Sequence, residues 1–415
     1  MLGSRVRAPA GSPREGAEES APFFINPHTM NHSTTHFADT KPHYALLDGL
    51  RGVAALLVVI YHIFEGFAFA QTTNGDGDGL ITTLNHGHIA VDFFFILSGF
   101  VISYAYDDRW TKMSLGGFFK RRLIRLHPML VMGAVIGAIT FLVGGREQWD
   151  GSVTPMGGVV LALLLTSLMI PALPGTMHEV RGNGEMFPLN GPSWSLFFEY
   201  IGNIIYALII RRLSTRLLAV LVALLAAVHV WIFVWDLSGY DSVGIGWTID
   251  AINFWGGLVR MLFPFTVGML LARTFKPRKI NEAFWICSAI LLATFAVPYI
   301  ASEGAISLNS LYEVVCIAII FPAIVWMGAC GNSSGLTDKI NGLLGELSYP
   351  LYIVHYPVMY LFYAWLIEKH FYSLEDTLLM PVIVVAVSIA LAYACLKLYD
   401  IPVRKWLARK FINSK

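Results

Sequence analysis

From residue 45 onward the chain alternates long apolar runs with short polar breaks. Eleven runs stand out, near 50–70, 89–106, 124–143, 157–173, 193–210, 217–236, 253–272, 282–300, 310–329, 348–367 and 378–399. Most reach the roughly 20 residues that a helix needs to cross a bilayer core. Strands of a membrane barrel would be about half as long and would alternate apolar with polar positions. These runs do not alternate, so the pattern predicts an all-α, polytopic transmembrane helical bundle. Residues 1–43 break the pattern. They are polar, rich in Pro, Gly and Ser, and carry His28, His32, His36 and His43. They read as a disordered N-terminal extension; a metal-binding tail is the competing use of the histidines. They contain no apolar stretch of the signal-peptide kind, and Met30 is an alternative start. The expected organisation is an extension at 1–43, a transmembrane domain at 44–406 and a short basic tail at 407–415.

The loop charges order these runs. Lys and Arg cluster at Arg109–Arg125, Arg211–Arg216, Arg273–Lys279, Lys339 and Arg404–Lys415. The intervening loops hold only Arg146, Arg181 and Lys369. The positive-inside rule places the richer set in the cytoplasm. Arg121–Arg125 and Arg211–Arg216 then lie on one side, so an even number of crossings must separate them. Three apolar runs do so. The run at 157–173 is short and closed by Pro171 and Pro174. It is expected to be re-entrant or interfacial, leaving about ten crossings and both termini cytoplasmic.

Composition agrees. Apolar residues make up 56% of the 415 and charged residues 14%, against roughly 25% charged in soluble domains. Soluble and disordered classes are excluded. With 29 basic and 28 acidic residues, there is no nucleic-acid footprint. The spacing of Cys287, Cys316, Cys330 and Cys395 suits neither a disulfide framework nor a zinc site, and no metal is expected.

Ionisable groups at mid-bilayer cost roughly 2.5–3.5 kcal/mol each on insertion scales, so each needs a reason. The first run reads LLDGLRGVAALLVVIYHIFEGF. Arg51 and His62 are eleven residues apart, which on a helix leaves them about 20° out of register and about 16 Å apart along the axis. Asp48 and Glu65 fall on the same arc, which must face protein or water. Ion pairs that only pack helices would use the same arc. A deep histidine beside a glutamate is also a natural proton acceptor. In the second run Asp92 lies near one end, and the small pair Ser98–Gly99 permits close helix contact. Arg122 and Arg125 share a helix face and suit either membrane anchoring or phosphate capture. Glu199 lies within the fifth run, behind a candidate cap at Ser193, with Asn203 and Tyr206 along its side. Arg260 and Glu313 stand in later runs. Tyr349, Tyr352 and His355 make a polar stripe at three-residue steps. Other matches fail. GNSSG at 331–335 has no preceding strand for a nucleophile elbow at Ser333. NGDGDG at 74–79 would put Asn85 at position twelve of a calcium loop, where a glutamate is needed. His178-Glu179 has no second histidine at zincin spacing.

Taken in order, these pieces resemble the acyltransferase 3 family of integral-membrane O-acyltransferases. LDGLRGVAALLVVIYH resembles its opening signature, with Arg51 and His62 as the basic residue and the histidine ten positions beyond. VDFFFILSGFVIS resembles its second helix. FFKRRLIRLHP resembles its Arg-x-x-Arg segment on Arg122 and Arg125. GPSWSLFFEYIGNIIY resembles its Trp-Ser-Leu-x-x-Glu stretch on Trp194, Ser195 and Glu199. LSYPLYIVHYP resembles its Ser-Tyr-x-x-Tyr-x-x-His element on Ser348, Tyr349, Tyr352 and His355. The likeness runs from about 44 to 406. It departs at Asp400, where a glutamate is common. No soluble esterase-like domain follows the bundle here, so the resemblance implies chemistry completed within the membrane.

The resemblance implies transfer of an acyl group, usually acetyl, from cytoplasmic acyl-CoA to a hydroxyl of a glycan, a lipid-linked sugar or a small molecule. Acyl-CoA would be a co-substrate, with no permanently bound cofactor. His62 would be the general base, oriented by Glu65 or Glu199, and Arg122, Arg125 and Arg51 would meet the CoA phosphates. Asp92, Ser98, Trp194, Ser195, Arg260, Asp48, Tyr349, Tyr352 and His355 are further pocket candidates. A bacterial inner membrane is the implied location. A transporter or flippase of an acylated or glycan substrate would also put polar residues on intramembrane helix faces; it would consume no thioester, and no inverted repeat is visible in the sequence. An acyl-CoA-binding sensor would bind without turnover.

Overall fold

The computed structural model describes residues 44–77 and 84–412. The expectations for residues 1–43, including the histidine tail and Met30, lie outside the described residues, as does Asp78 of the calcium-like stretch. Among the described residues there are thirteen α-helices, two short 3-10 turns, two π-turns and no strand beyond isolated bridges. They are α1 (Ala45–Thr73), α2 (Ala90–Tyr106), α3 (Leu115–Val143), α4 (Met156–Ser167), α5 (Ser193–Leu208), α6 (Thr215–Val234), α7 (Ala251–Thr274), α8 (Ala283–Phe295), α9 (Leu308–Val315), α10 (Phe321–Cys330), α11 (Gly335–Lys369), α12 (Leu379–Cys395) and α13 (Ile401–Phe411). Wide π-turns at Cys316–Ile320 and Leu396–Asp400 join α9 to α10 and α12 to α13. Pro322 and Pro402 sit just beyond these turns. Each lacks an N–H and crowds the carbonyl four residues back, and a wider turn relieves both.

Nine helical stretches among the described residues are long and apolar enough to cross a membrane. The protein is therefore a multi-pass integral membrane protein. Lipid replaces water around the bundle, and the apolar residues outside the core show it. Leu217, Val220, Leu224 and Trp231 of α6 are all exposed.

Two apolar runs gave short helices. The run at 157–173 became α4, whose flanks both lie at one end of the bundle. Thr154 bonds the Val180 carbonyl before it. After it, Ala172 bonds the Met186 carbonyl, and Met186 in turn bonds that of Trp247. Both flanks of α4 are therefore tied to the same loop, at Val180 and Met186. The run at 282–300 became the 13-residue α8. Its first residue, Ala283, lies against Gly331, where Ile280 bonds the Cys330 carbonyl. Its last residue accepts the N–H of His86. The residues after Phe295 leave the helix, and Tyr299 bonds the Leu84 carbonyl. One local expectation fails: Pro192, not Ser193, is the N-cap of α5, and the Ser193 hydroxyl is buried without a partner.

Close helix contact depends on missing side chains. Gly52 of α1 leaves room for the Leu344 carbonyl of α11, and Gly66 for the Tyr363 ring. Gly99 of α2 and Gly268 of α7 leave room for each other's backbone carbonyls, at Phe265 and Ile96. In lipid no hydrophobic force draws helices together, so such backbone approach, with dispersion and interhelical polar bonds, does.

Candidate active site

The arc on α1 packs on α11 as two separate pairs. Near one end Arg51 holds Asp48 at 2.9 Å and donates to Ser348 at 2.9 Å. Deeper, His62 Nδ1 lies 2.5 Å from Glu65 Oε2. Tyr363 of α11 bonds the same carboxylate oxygen at 2.7 Å and the His62 carbonyl at 2.9 Å. A carboxylate only accepts, so His62 Nδ1 must be the protonated nitrogen. Nε2 then carries the lone pair, and it has no hydrogen-bond partner among the described residues. The ring is wedged by Tyr61, Tyr356 and His355, at centroid distances of 5.1, 4.8 and 5.3 Å.

His62 and Glu65 line a cavity of about 300 Å³. Its walls come from α1, α11, the turn before α2 and the loops around 149, 183–191 and 240–247. Aromatic rings dominate them, among them Trp149, Trp194, Tyr352, Tyr356 and Tyr360. Such walls present mostly apolar surface to a ligand while leaving a few polar atoms to orient it.

The remaining predicted residues fall into groups. Asp92 and Arg260 form a fully buried, two-pronged pair, with contacts of 2.8 to 3.2 Å. Arg260 also donates to the carbonyls of Ile245 and His88 and lies 5.2 Å from the Trp194 ring centre. It thereby fixes one wall of the cavity. Ser195 and Tyr352 bond each other at 2.7 Å, with Tyr352 and Trp194 on the lining. His355 ties Nδ1 to the Leu351 carbonyl, and its Nε2 is buried without a partner.

Two expectations change. Glu199 does not orient His62. It accepts from Ser98 at 2.7 Å and from Arg122 at 2.6 Å, and it does not line the cavity. Its long reach is spent across helices α2, α3 and α5, which leaves Glu65 as the carboxylate on the histidine. The stripe on α11 also splits: Tyr349 turns away and bonds the Leu126 carbonyl at 2.5 Å. Arg122 is buried on Glu199. Arg125 lies within electrostatic reach of Arg51, Arg122 and Asp48.

Sequence reading missed His86, His88 and Glu185 on the lining and noted Glu313 without a partner. His86 and His88 precede α2, and Glu313 of α9 lies 2.9 Å from His88 Nε2. Glu185 bonds Tyr360. Burial pushes its carboxyl up to about 7. A carboxylate inside an apolar run, as at Glu313, was the available signal; nothing in the sequence paired it with His88. Among the described residues no cluster of His, Cys, Asp or Glu is placed to hold a metal ion, and all four cysteines are buried and unbridged.

A bundle of spanning helices with an aromatic-rich cavity beside a carboxylate-backed histidine defines a polytopic membrane protein with a polar pocket inside the bundle. The profile of the acyltransferase 3 family, described as an acyltransferase domain, matches residues 44–397, and the chain belongs to that family. It is 31% identical to acyltransferase MdmB of Streptomyces mycarofaciens over 75% of this chain and 78% of that protein. It is 34% identical to protein 2 in the picA locus of Rhizobium radiobacter, over 40% of this chain and 81% of that one. A protein named as an O-acetyltransferase from Staphylococcus aureus (strain COL) is 23% identical over 78% of this chain, which spans about half of that relative's length. No solved structure matches.

Proposed function

We propose that this acyltransferase moves an acetyl group from cytoplasmic acyl-CoA to a hydroxyl of a cell-envelope glycan or lipid-linked sugar in a bacterial inner membrane. The observation that carries the reading is His62, which lines the cavity with Nδ1 committed to Glu65 and Nε2 without a partner among the described residues. Nε2 takes the proton of the acceptor hydroxyl as its oxygen attacks the thioester carbonyl. The C–S bond breaks as the tetrahedral intermediate collapses. The imidazolium, stabilised by Glu65, returns the proton to the thiolate, giving ester and free CoA. Arg51 and Arg125, at the basic end of the bundle, suit the CoA phosphates; Arg122 shares that end but is already held by Glu199.

The test is the base-labile acetyl ester of envelope glycan and lipid fractions in a deletion strain. Wild-type protein restores ester. His62→Ala, expressed and folded to the same level, restores none. Ester restored by His62→Ala removes the base. No ester with wild-type protein, and no acetyl-CoA consumed, removes the reaction.

A further inference from the structure

A second histidine–carboxylate pair lines the same cavity, and hydrogen-bond accounting sets its protonation. Glu313 is fully buried. It receives the Val243 N–H at 2.6 Å, the Ser242 hydroxyl at 3.1 Å, Asn309 Nδ2 at 3.3 Å and His88 Nε2 at 2.9 Å. Only an ionised carboxylate takes so many donors. Ser242 Oγ also lies 3.1 Å from His88 Nε2; because its oxygen accepts the Gly244 N–H and its proton goes to Glu313, Nε2 meets it as a second N–H donor and not as a base.

His86 supplies the countercharge. Its Nδ1 faces the Val297 carbonyl at 2.8 Å and its Nε2 faces Asn309 Oδ1 at 2.9 Å. The Asn309 amide cannot be flipped. Its Oδ1 also accepts from Ile300, and its Nδ2 donates to the Asp241 carbonyl and to Glu313. Burial works against a charged His86. A neutral ring, however, would set a lone pair against one of two fixed oxygens, and Glu313 is 3.7 Å away. His86 is therefore an imidazolium that neutralises Glu313. His88 then stays neutral, with Nε2–H on Glu313. Its Nδ1 lone pair has no partner among the described residues, and 18% of the side chain stays open at the cavity wall.

We propose that His88 Nδ1 is the second hydrogen-bond acceptor of the substrate cavity, and that it holds a polyhydroxylated acceptor by an O–H other than the one that reacts at His62. The Tyr61 ring lies between the two histidines, 5.1 Å from one and 5.7 Å from the other. An acceptor donating to both would present a single hydroxyl to the thioester. This rests on the acyl-CoA reading above.

Two substitutions separate the roles of the two nitrogens. His88→Asn keeps an acceptor near the position of Nδ1 and gives up the donor to Glu313. His88→Gln keeps the donor and gives up the acceptor. Envelope vesicles from the deletion strain, carrying each full-length variant, are fed labelled acetyl-CoA. The readout is ester formed on envelope material per CoA thiol released. His88→Gln lowers that ratio about tenfold, as loss of one hydrogen bond to substrate does, whereas His88→Asn restores most of it. A Gln variant matching wild type, or an Asn variant falling as far as Gln, overturns the proposal. If wild-type vesicles release no thiol, the acyl-CoA reading fails instead, and nitrogen NMR of histidine-labelled protein decides the inference alone. It expects both His86 nitrogens protonated and His88 protonated at Nε2 only; a proton on His88 Nδ1 overturns it.

Discussion

His62 shows what a neighbour does to a side chain that the sequence alone leaves ambiguous. A histidine in an apolar helix can pack or act; Glu65 takes Nδ1 and Tyr363 holds that carboxylate, which leaves Nε2 without a partner among the described residues. The arginines divide by the same reasoning. Arg51 holds only Asp48 and a serine hydroxyl and is partly exposed. Arg51→Ala is expected to raise the acetyl-CoA KM more than it lowers kcat. Arg122→Ala instead leaves the part-buried Glu199 with Ser98 as its remaining side-chain partner among the described residues. Breaking a fully buried pair costs about 3–5 kcal/mol; this partly exposed one costs less, but enough that Tm falls along with any change in KM. Glu185 supplies a pH signature. Its folded carboxyl titrates near 7 rather than at the ordinary glutamate value, so the folded state binds the proton more tightly than the unfolded chain. Stability from this group is full at low pH and declines as pH rises through about 7. Glu185→Gln should flatten that decline in Tm profiles in detergent between about pH 5 and 8; an unchanged slope assigns it to other groups.

At the scale of elements, α1 and α11 are joined by absences as much as by contacts. A Cβ on Gly52 would run into the Leu344 backbone carbonyl, which cannot rotate away. Gly52→Val is expected to cost about 1–3 kcal/mol or more through overpacking, read as a lower Tm. The control Gly342→Ala, on α11 with open space around it, should leave Tm unchanged or slightly raised. Periodicity revealed these helices because lipid demands a continuous apolar surface and internal backbone bonds. It could not distinguish α8 from a full-length span, since an extended stretch between neighbours is as apolar as a helix. Nor could it show that the stripe on α11 divides: Tyr349 goes to α3 and Tyr352 to the cavity, a matter of which helix stands beside each.

For the molecule as a whole, the return of α4 predicts labelling. Cysteines placed singly at Ser152 and Gly175, both exposed, should react with an impermeant thiol reagent from the same side of the membrane. One at Lys276, also exposed, should react from the other side. Opposite accessibilities for the first two would remove the re-entrant segment. The sequence by itself determined the class. Its apolar runs are long enough to span lipid, and its motif order carries the family. Those properties follow from each segment meeting the bilayer on its own terms. Tertiary structure decided the partners. Glu199 lies on Arg122 and not on His62, Asp92 on Arg260, and Glu313 on His88, each joining helices distant in the chain. A buried charge takes whatever opposite charge or donor packing brings within about 3 Å, and sequence spacing holds no record of that meeting.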